Sequence, residues 1–185
     1  MQKIFTAFAC WAATSFFHHQ FLLRHEKKMD LMVLSDPIIH RLPTYDVSII
    51  ITITTFTKIA LLIWNITITR ITFVMWSCIF MFLLRTICMF LTPLKVHPQN
   101  IPIRDIILDR FLQHESFRND LLFSGHLGHC LIIAYITPEY QNFLLFLALV
   151  ICLSMLISKT HYTIDLFITP FMIYPCLRMA HIVCD

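Results

Sequence analysis

Glycine is nearly missing: Gly125 and Gly128 are the only two among 185 residues. That excludes a collagen-like repeat and any glycine-rich loop of the kind that wraps nucleotide phosphates. Charge is scarce as well, at 14% of residues, where an ordinary soluble domain carries about 25%. With 58% hydrophobic residues and seventeen phenylalanines, the chain is too apolar to be disordered. It is also too apolar for almost any water-soluble globule, because a domain of about 150 residues buries only ~70% of its extended surface. Lipid is the solvent that such a composition requires.

Two other classes fall away early. The net charge of +3 is small and scattered, with no zinc-finger or basic-zipper spacing, so no nucleic-acid partner is expected. The seven cysteines are an odd number, lie mostly within apolar runs and form no Cys-x-x-Cys pair. They read as small buried apolar residues rather than a disulfide framework.

What is present is a series of long apolar runs. A bilayer core about 30 Å thick takes ~20 apolar residues as a helix. Runs of this kind cover Ile4–Leu23, Val47–Ile68, Ile71–Leu91, Leu121–Ile136, Asn142–Ser158 and Thr163–Val183, six expected spans in a single membrane domain over 1–185. The second run is rich in Ile and Thr, which would suit a strand in water. In lipid every backbone polar group must be satisfied internally, so a helix is expected there. The first run is read as a span, not a cleaved signal, because His18, His19 and Gln20 follow Phe17 without a small-residue cleavage site.

The connections are unequal. Trp64–Arg70, Thr137–Gln141 and Lys159–His161 are tight, whereas Arg24–Asp46 and Thr92–Asp120 are long. The second long one carries Arg104, Asp105, Asp109, Arg110, His114, Glu115 and Arg118, and long polar loops on a small scaffold are where chemistry tends to sit. With six spans, the connections after the first, third and fifth share one face and hold nine of the fourteen basic residues. The positive-inside rule would make that face cytoplasmic, although a phosphate-binding site would draw the same charges. The composition implies a multi-pass integral membrane protein without naming the membrane.

Two elements carry chemistry. Asp120-Leu-Leu-Phe-Ser124-Gly125-His126 opens the fourth span, and Lys159-Thr-His161-Tyr162-Thr-Ile-Asp165 opens the sixth. Spans four and six run in the same direction, so both openings lie at one face. His161 and Asp165 are four residues apart, on one side of a helix and one turn from each other. There Asp165 accepts the proton of one imidazole nitrogen and fixes which nitrogen is left free. Ionisable groups within a membrane helix are costly and are functional by default. The competing reading is that Asp165 only satisfies a helix end or pairs with Lys159.

These two elements, with Leu84-Arg85-Thr-Ile-Cys-Met-Phe-Leu-Thr-Pro93-Leu before them, resemble the sphingomyelin synthase branch of the type 2 phosphatidic acid phosphatase superfamily. The similarity runs from about Leu84 to Tyr174, roughly half the chain. The resemblance implies an all-α, six-helix integral membrane bundle that moves a phospho-headgroup, with phosphocholine expected, from a glycerophospholipid to ceramide or another lipid alcohol. It implies His161 as the nucleophile, Asp165 as its holder and His126 as the acid that later serves as base. Ser124, Gly125, Lys159, Arg85, Asp120 and Tyr162 would form the substrate-binding set, with helix N-terminal amides near Ser124–His126 as phosphate donors. No cofactor and no metal are implied; the partners are a phospholipid donor and a ceramide-like acceptor.

Departures from the wider superfamily are informative. The lipid phosphatases carry a Lys-x6-Arg-Pro element that is missing here, and an arginine where this chain has Met155; their Pro-Ser-Gly-His is here Phe123-Ser-Gly-His. Each departure points to the synthase branch, with a lipid phosphate phosphatase and a catalytically inactive lipid-binding membrane protein as the alternatives.

Several residues have plainer readings. Arg85 is read equally as a snorkelling side chain, and Asp120 as a helix N-cap. Lys58 and Arg178 are expected to lie toward the other face, snorkelling or paired. His126-x-x-His129 can be drawn with His161 and Asp165 as a metal site, against which the resemblance argues. Of the aromatics, Tyr45, Tyr135, Tyr140, Tyr162, Trp11, Trp64 and Trp76 offer cation–π faces but also suit membrane interfaces.

Overall fold

In the computed structural model, the described residues are 2–27, 31–103 and 119–185. The residues Arg104, Asp105, Asp109, Arg110, His114, Glu115 and Arg118 singled out above, together with Lys28, lie outside them. Among the described residues 75% are helical. The helices are α1 (Gln2–His25), α2 (Pro37–Arg41), α3 (Ser48–Trp64), α4 (Ile68–Leu91), α5 (Gly125–Ile136), α6 (Gln141–Ile157) and α7 (Thr163–Cys184), with a 3-10 turn at Pro138–Tyr140. Two-residue strands, β1 (Met32–Val33) and β2 (Leu94–Lys95), pair in parallel.

Three helical stretches are long and apolar enough to cross a membrane: Ile68–Leu91, Pro138–Ile157 and Thr163–Cys184, with mean hydropathies of 2.0, 2.1 and 1.4. The second run, in spite of its Ile and Thr content, is the helix α3. It has 17 residues and α5 has 12, so at 1.5 Å per residue they are about 26 and 18 Å long. The fourth run therefore does not start as a helix at Leu121. Residues 119–124 are non-helical, and Ser124 caps α5.

The helices alternate in direction. At one end, here called the upper end, α1, α4 and α6 finish while α3, α5 and α7 begin. Backbone bonds stitch this end together: Met32 N–H to Pro93 O at 3.1 Å, Tyr45 N–H to Ile157 O at 3.4 Å and Ile101 N–H to Ser158 O at 2.9 Å. At the lower end Lys3 Nζ donates to Cys184 O at 3.2 Å, and Arg70 pairs with Glu139 at 3.0 Å.

Two apolar cores run through the bundle. Val47, Ile51, Leu127, Ile133, Leu144, Ile151 and Met155 join α3, α5 and α6. Cys78, Met81, Phe123, Ile132, Ile173 and Cys176 join α4, α5 and α7. Gly128 lets α5 approach its neighbours: a Cβ there would stand 2.9 Å from Met81 Sδ and 3.0 Å from Ile173 Cδ1. The outer surface stays apolar, with Phe5, Ile49, Trp64, Phe90, Phe167 and Ile182 exposed. An apolar exterior of this extent suits a lipid environment. Pro170 and Pro175 sit inside α7, where each removes one backbone donor; neighbouring helices make that tolerable in a membrane setting. All seven cysteines are unpaired.

Candidate functional site

Helix α6 ends in a tight reversal that presents the second motif. Lys159 N–H bonds to Leu156 O and Thr160 N–H to Met155 O, both at 3.2 Å. This is the bond pattern of a Schellman stop, whose turning residue is left-handed and usually glycine. Here that residue is Lys159, with φ +56. Leu122, in the first motif, has φ +90, and these are the two non-glycine residues with positive φ among the described residues. Left-handed backbone costs an L-residue roughly 1–2 kcal/mol, and such strain clusters at functional sites. Both motifs carry one instance.

After the reversal, His161 stands two residues ahead of α7 and Asp165 in its first turn, and the two are neighbours. His161 Nδ1 lies 3.2 Å from Asp165 Oδ2, and the same oxygen accepts the Tyr162 N–H at 3.0 Å. Asp165 therefore does both jobs that the sequence allows: it closes the first turn of α7 and holds the imidazole. Its pairing is with His161 and not with Lys159, whose Nζ donates to Gln99 Oε1 at 2.7 Å. Asp165 is fully buried, and its Oδ1 has no partner among the described residues. With Nδ1 assigned as the donor to a carboxylate, the free lone pair of His161 is on Nε2.

The first motif is fastened to the second by a short relay. Ser124 N–H donates to Thr169 Oγ1 at 3.0 Å, and Thr169 Oγ1 donates to Asp165 O at 2.6 Å. Ser124 Oγ accepts the Leu127 N–H at 3.4 Å and lies 3.0 Å from Met155 Sδ. The Ser124 side chain is thus a helix cap in a closed environment, and its backbone does the joining. His126 follows in the first turn of α5, half-buried and within electrostatic range of His161. His129 Nδ1 bonds to Gly125 O at 2.7 Å and its ring meets Phe82 edge-on, so it is held by its own helix. Among the described residues, no three His, Cys, Asp or Glu side chains gather as a metal site.

Arg85 is no snorkelling side chain. It is 5% exposed, and its Nη2 pairs with Asp120 Oδ1 at 2.6 Å. The guanidinium carbon lies 5.5 Å from the centre of the Phe123 ring. Gly125 exists to admit it: a Cβ at this position would collide with Arg85 Nη1 and stand 3.2 Å from Cζ. Asp120 is consequently an ion-pair partner and not the cap of α5, a role that Ser124 fills. The pair ties α4 to the first motif and aims a cation at the start of α5.

Two further expectations need correction and two residues were missed. Lys58 does not snorkel to the far face. Helical side chains lean toward the N-terminus of their helix, which for α3 is the upper end, and Lys58 Nζ reaches His126 O at 3.3 Å. Tyr162 is not an open cation–π face: it is 1% exposed, donates to Lys95 O at 2.8 Å and accepts from Leu34 N at 3.2 Å. Thr169 was missed although it follows Asp165 by one helical turn. Asp36 was missed although Asp36-Pro37 is a helix-start signature. Its carboxylate accepts the N–H groups of Ile38 and Ile39 and, at 2.7 Å, that of Thr163. Burial pushes its carboxyl up, but these hydrogen bonds, led by Thr163, outweigh it and hold the group below its ordinary value. Asp36 so anchors the first turn of α7 from the loop after α1.

A cavity of about 580 Å³ lies at the lower end, lined by residues including Lys3, Thr72, Trp76 and Val183. It holds none of the groups of either motif, both of which lie at the upper end. Comparison with family models, curated proteins and solved structures finds no match for this chain.

Proposed function

We propose that this chain is a six-span membrane phosphotransferase of the sphingomyelin synthase type, which moves a phospho-headgroup from a glycerophospholipid to ceramide or a similar lipid alcohol. The observation that carries this reading is the relay from Ser124 N–H through Thr169 Oγ1 to Asp165 O. It brings Ser-Gly-His and His161/Asp165 to one end of the bundle, as a two-histidine mechanism needs.

In that mechanism the Nε2 lone pair of His161 attacks phosphorus, and the bond from phosphorus to the diacylglycerol oxygen breaks. His126 protonates the departing oxygen. His126 then takes the proton of the acceptor hydroxyl, whose oxygen attacks phosphorus and displaces His161. A histidine nucleophile splits one difficult displacement into two easier ones. Amides at the start of α5, together with Arg85, face the charge on the phosphoryl oxygens. The remaining apolar helices α1, α3 and α5 complete the six crossings, with the short α5 sunk between its neighbours.

Water in place of the alcohol would make the same site a hydrolase. Labelled phosphatidylcholine, phosphatidylethanolamine or phosphatidylinositol, each supplied in detergent with a short-chain ceramide, tests the assignment. The expected product is a labelled sphingophospholipid, absent with His161→Ala. Release of inorganic phosphate from phosphatidic acid, without transfer from any of the three donors, would make the protein a phosphatase. Lipid binding without turnover of any donor would make it an inactive lipid-binding protein.

A further inference from the structure

One buried charge has no part in the chemistry just described. Lys58 stands in the middle of α3 and is 4% exposed. Its ammonium donates to the carbonyl of His126 at 3.3 Å. The ion pairs among the described residues are Arg70–Glu139, Arg85–Asp120 and His161–Asp165, so no described carboxylate answers this cation. Within its electrostatic range are Cys130, His126 and His129.

A lysine in the middle of a membrane helix is costly to insert. The placement adds to that cost. The first turn of a helix already carries partial positive charge, which disfavours a cation beside it. One backbone carbonyl does not balance an ammonium. An anion in front of α5 would offset this positive charge, because it would meet the helix amides and the Arg85 guanidinium packed on Gly125, with Lys58 behind them at the His126 carbonyl.

We propose that Lys58 is a positioning residue for the transfer step. It holds the first turn of α5, and so His126, in place, and its charge offsets the negative charge that grows on the phosphoryl oxygens. The inference rests on the phosphotransferase reading. An interaction that strengthens as charge develops acts on turnover more than on donor binding.

The test uses the full chain in detergent, with labelled phosphatidylcholine as donor and a short-chain ceramide as acceptor. Lys58→Met and Lys58→Gln are expected to lower kcat on the order of 10- to 100-fold, with KM for the donor within about twofold of the unchanged protein. Lys58→Arg, which keeps the charge, is expected to recover most of the loss. Lys58→Gln keeps a donor for the His126 carbonyl, so it separates the charge from the hydrogen bond if Lys58→Met fails to fold. If either neutral variant turns over like the unchanged protein while His161→Ala is inactive, Lys58 has no such role and the phosphotransferase reading stands. A raised KM at unchanged kcat overturns the role as well. Turnover that survives His161→Ala, or no turnover in the unchanged protein, overturns the reading beneath it.

Discussion

At the scale of single residues, Gly125 makes the sharpest case. The space for its missing side chain is filled by the Arg85 guanidinium, which Asp120 holds by a 2.6 Å ion pair. Gly125→Ala would push the guanidinium away without opening a cavity or burying a polar group. We expect turnover to fall by about a hundredfold or more, the scale of one lost transition-state donor, with a loss of thermal stability in detergent as the buried Arg85–Asp120 pair is disturbed. A variant that keeps full turnover would mean that the close approach of Arg85 to Gly125 is only packing. The importance of Gly125 was legible in the sequence from its place between Ser124 and His126. Its partner was not, because Arg85 lies forty residues upstream on another helix. Lys58 was misread for the same reason: hydropathy places a charge along a helix but does not say which neighbour it faces.

At the scale of elements, the reversal between α6 and α7 separates fold from function. Lys159 occupies the left-handed position of a Schellman stop, where glycine would be unstrained. Lys159→Gly relieves roughly 1–2 kcal/mol of backbone strain and loses the charged bond to Gln99, itself worth roughly 1.5–3 kcal/mol. The melting temperature should therefore stay near that of the unchanged protein while turnover drops, if the lysine is kept for its charge at this end of the bundle. A clear rise in melting temperature at full activity would show that Lys159 carries no function. Helix positions were legible from the apolar runs, and α3, α4, α6 and α7 fall within a few residues of them. The start of α5 was not. Leu121 and Phe123 are apolar because they pack inside the protein, 2% and 0% exposed. A hydropathy reading cannot tell that from exposure to lipid. Residues 119–124 stay unwound because Asn119 Oδ1 accepts the Val96 N–H at 3.0 Å and Asp120 binds Arg85.

At the scale of the whole molecule, the residues of both motifs are gathered at one end of an apolar bundle. The loop after α1 supplies Asp36, α4 supplies Arg85, the approach to α5 supplies Asp120 and Ser124, and α7 supplies Asp165 and Thr169. The opposite end has a cavity of about 580 Å³ but neither histidine motif. This division follows from alternating helix direction, and the sequence already implied it by opening spans four and six at one face. Covalent capture of the headgroup tests the central claim most directly. The purified protein is mixed with phosphatidylcholine labelled at phosphorus, without acceptor, and quenched in base, where a phosphorus–nitrogen bond survives. Label on His161, discharged by ceramide and absent from His161→Ala, is the predicted result. Transfer to ceramide at full rate with no label on His161, or equal labelling of His161→Ala, would contradict it.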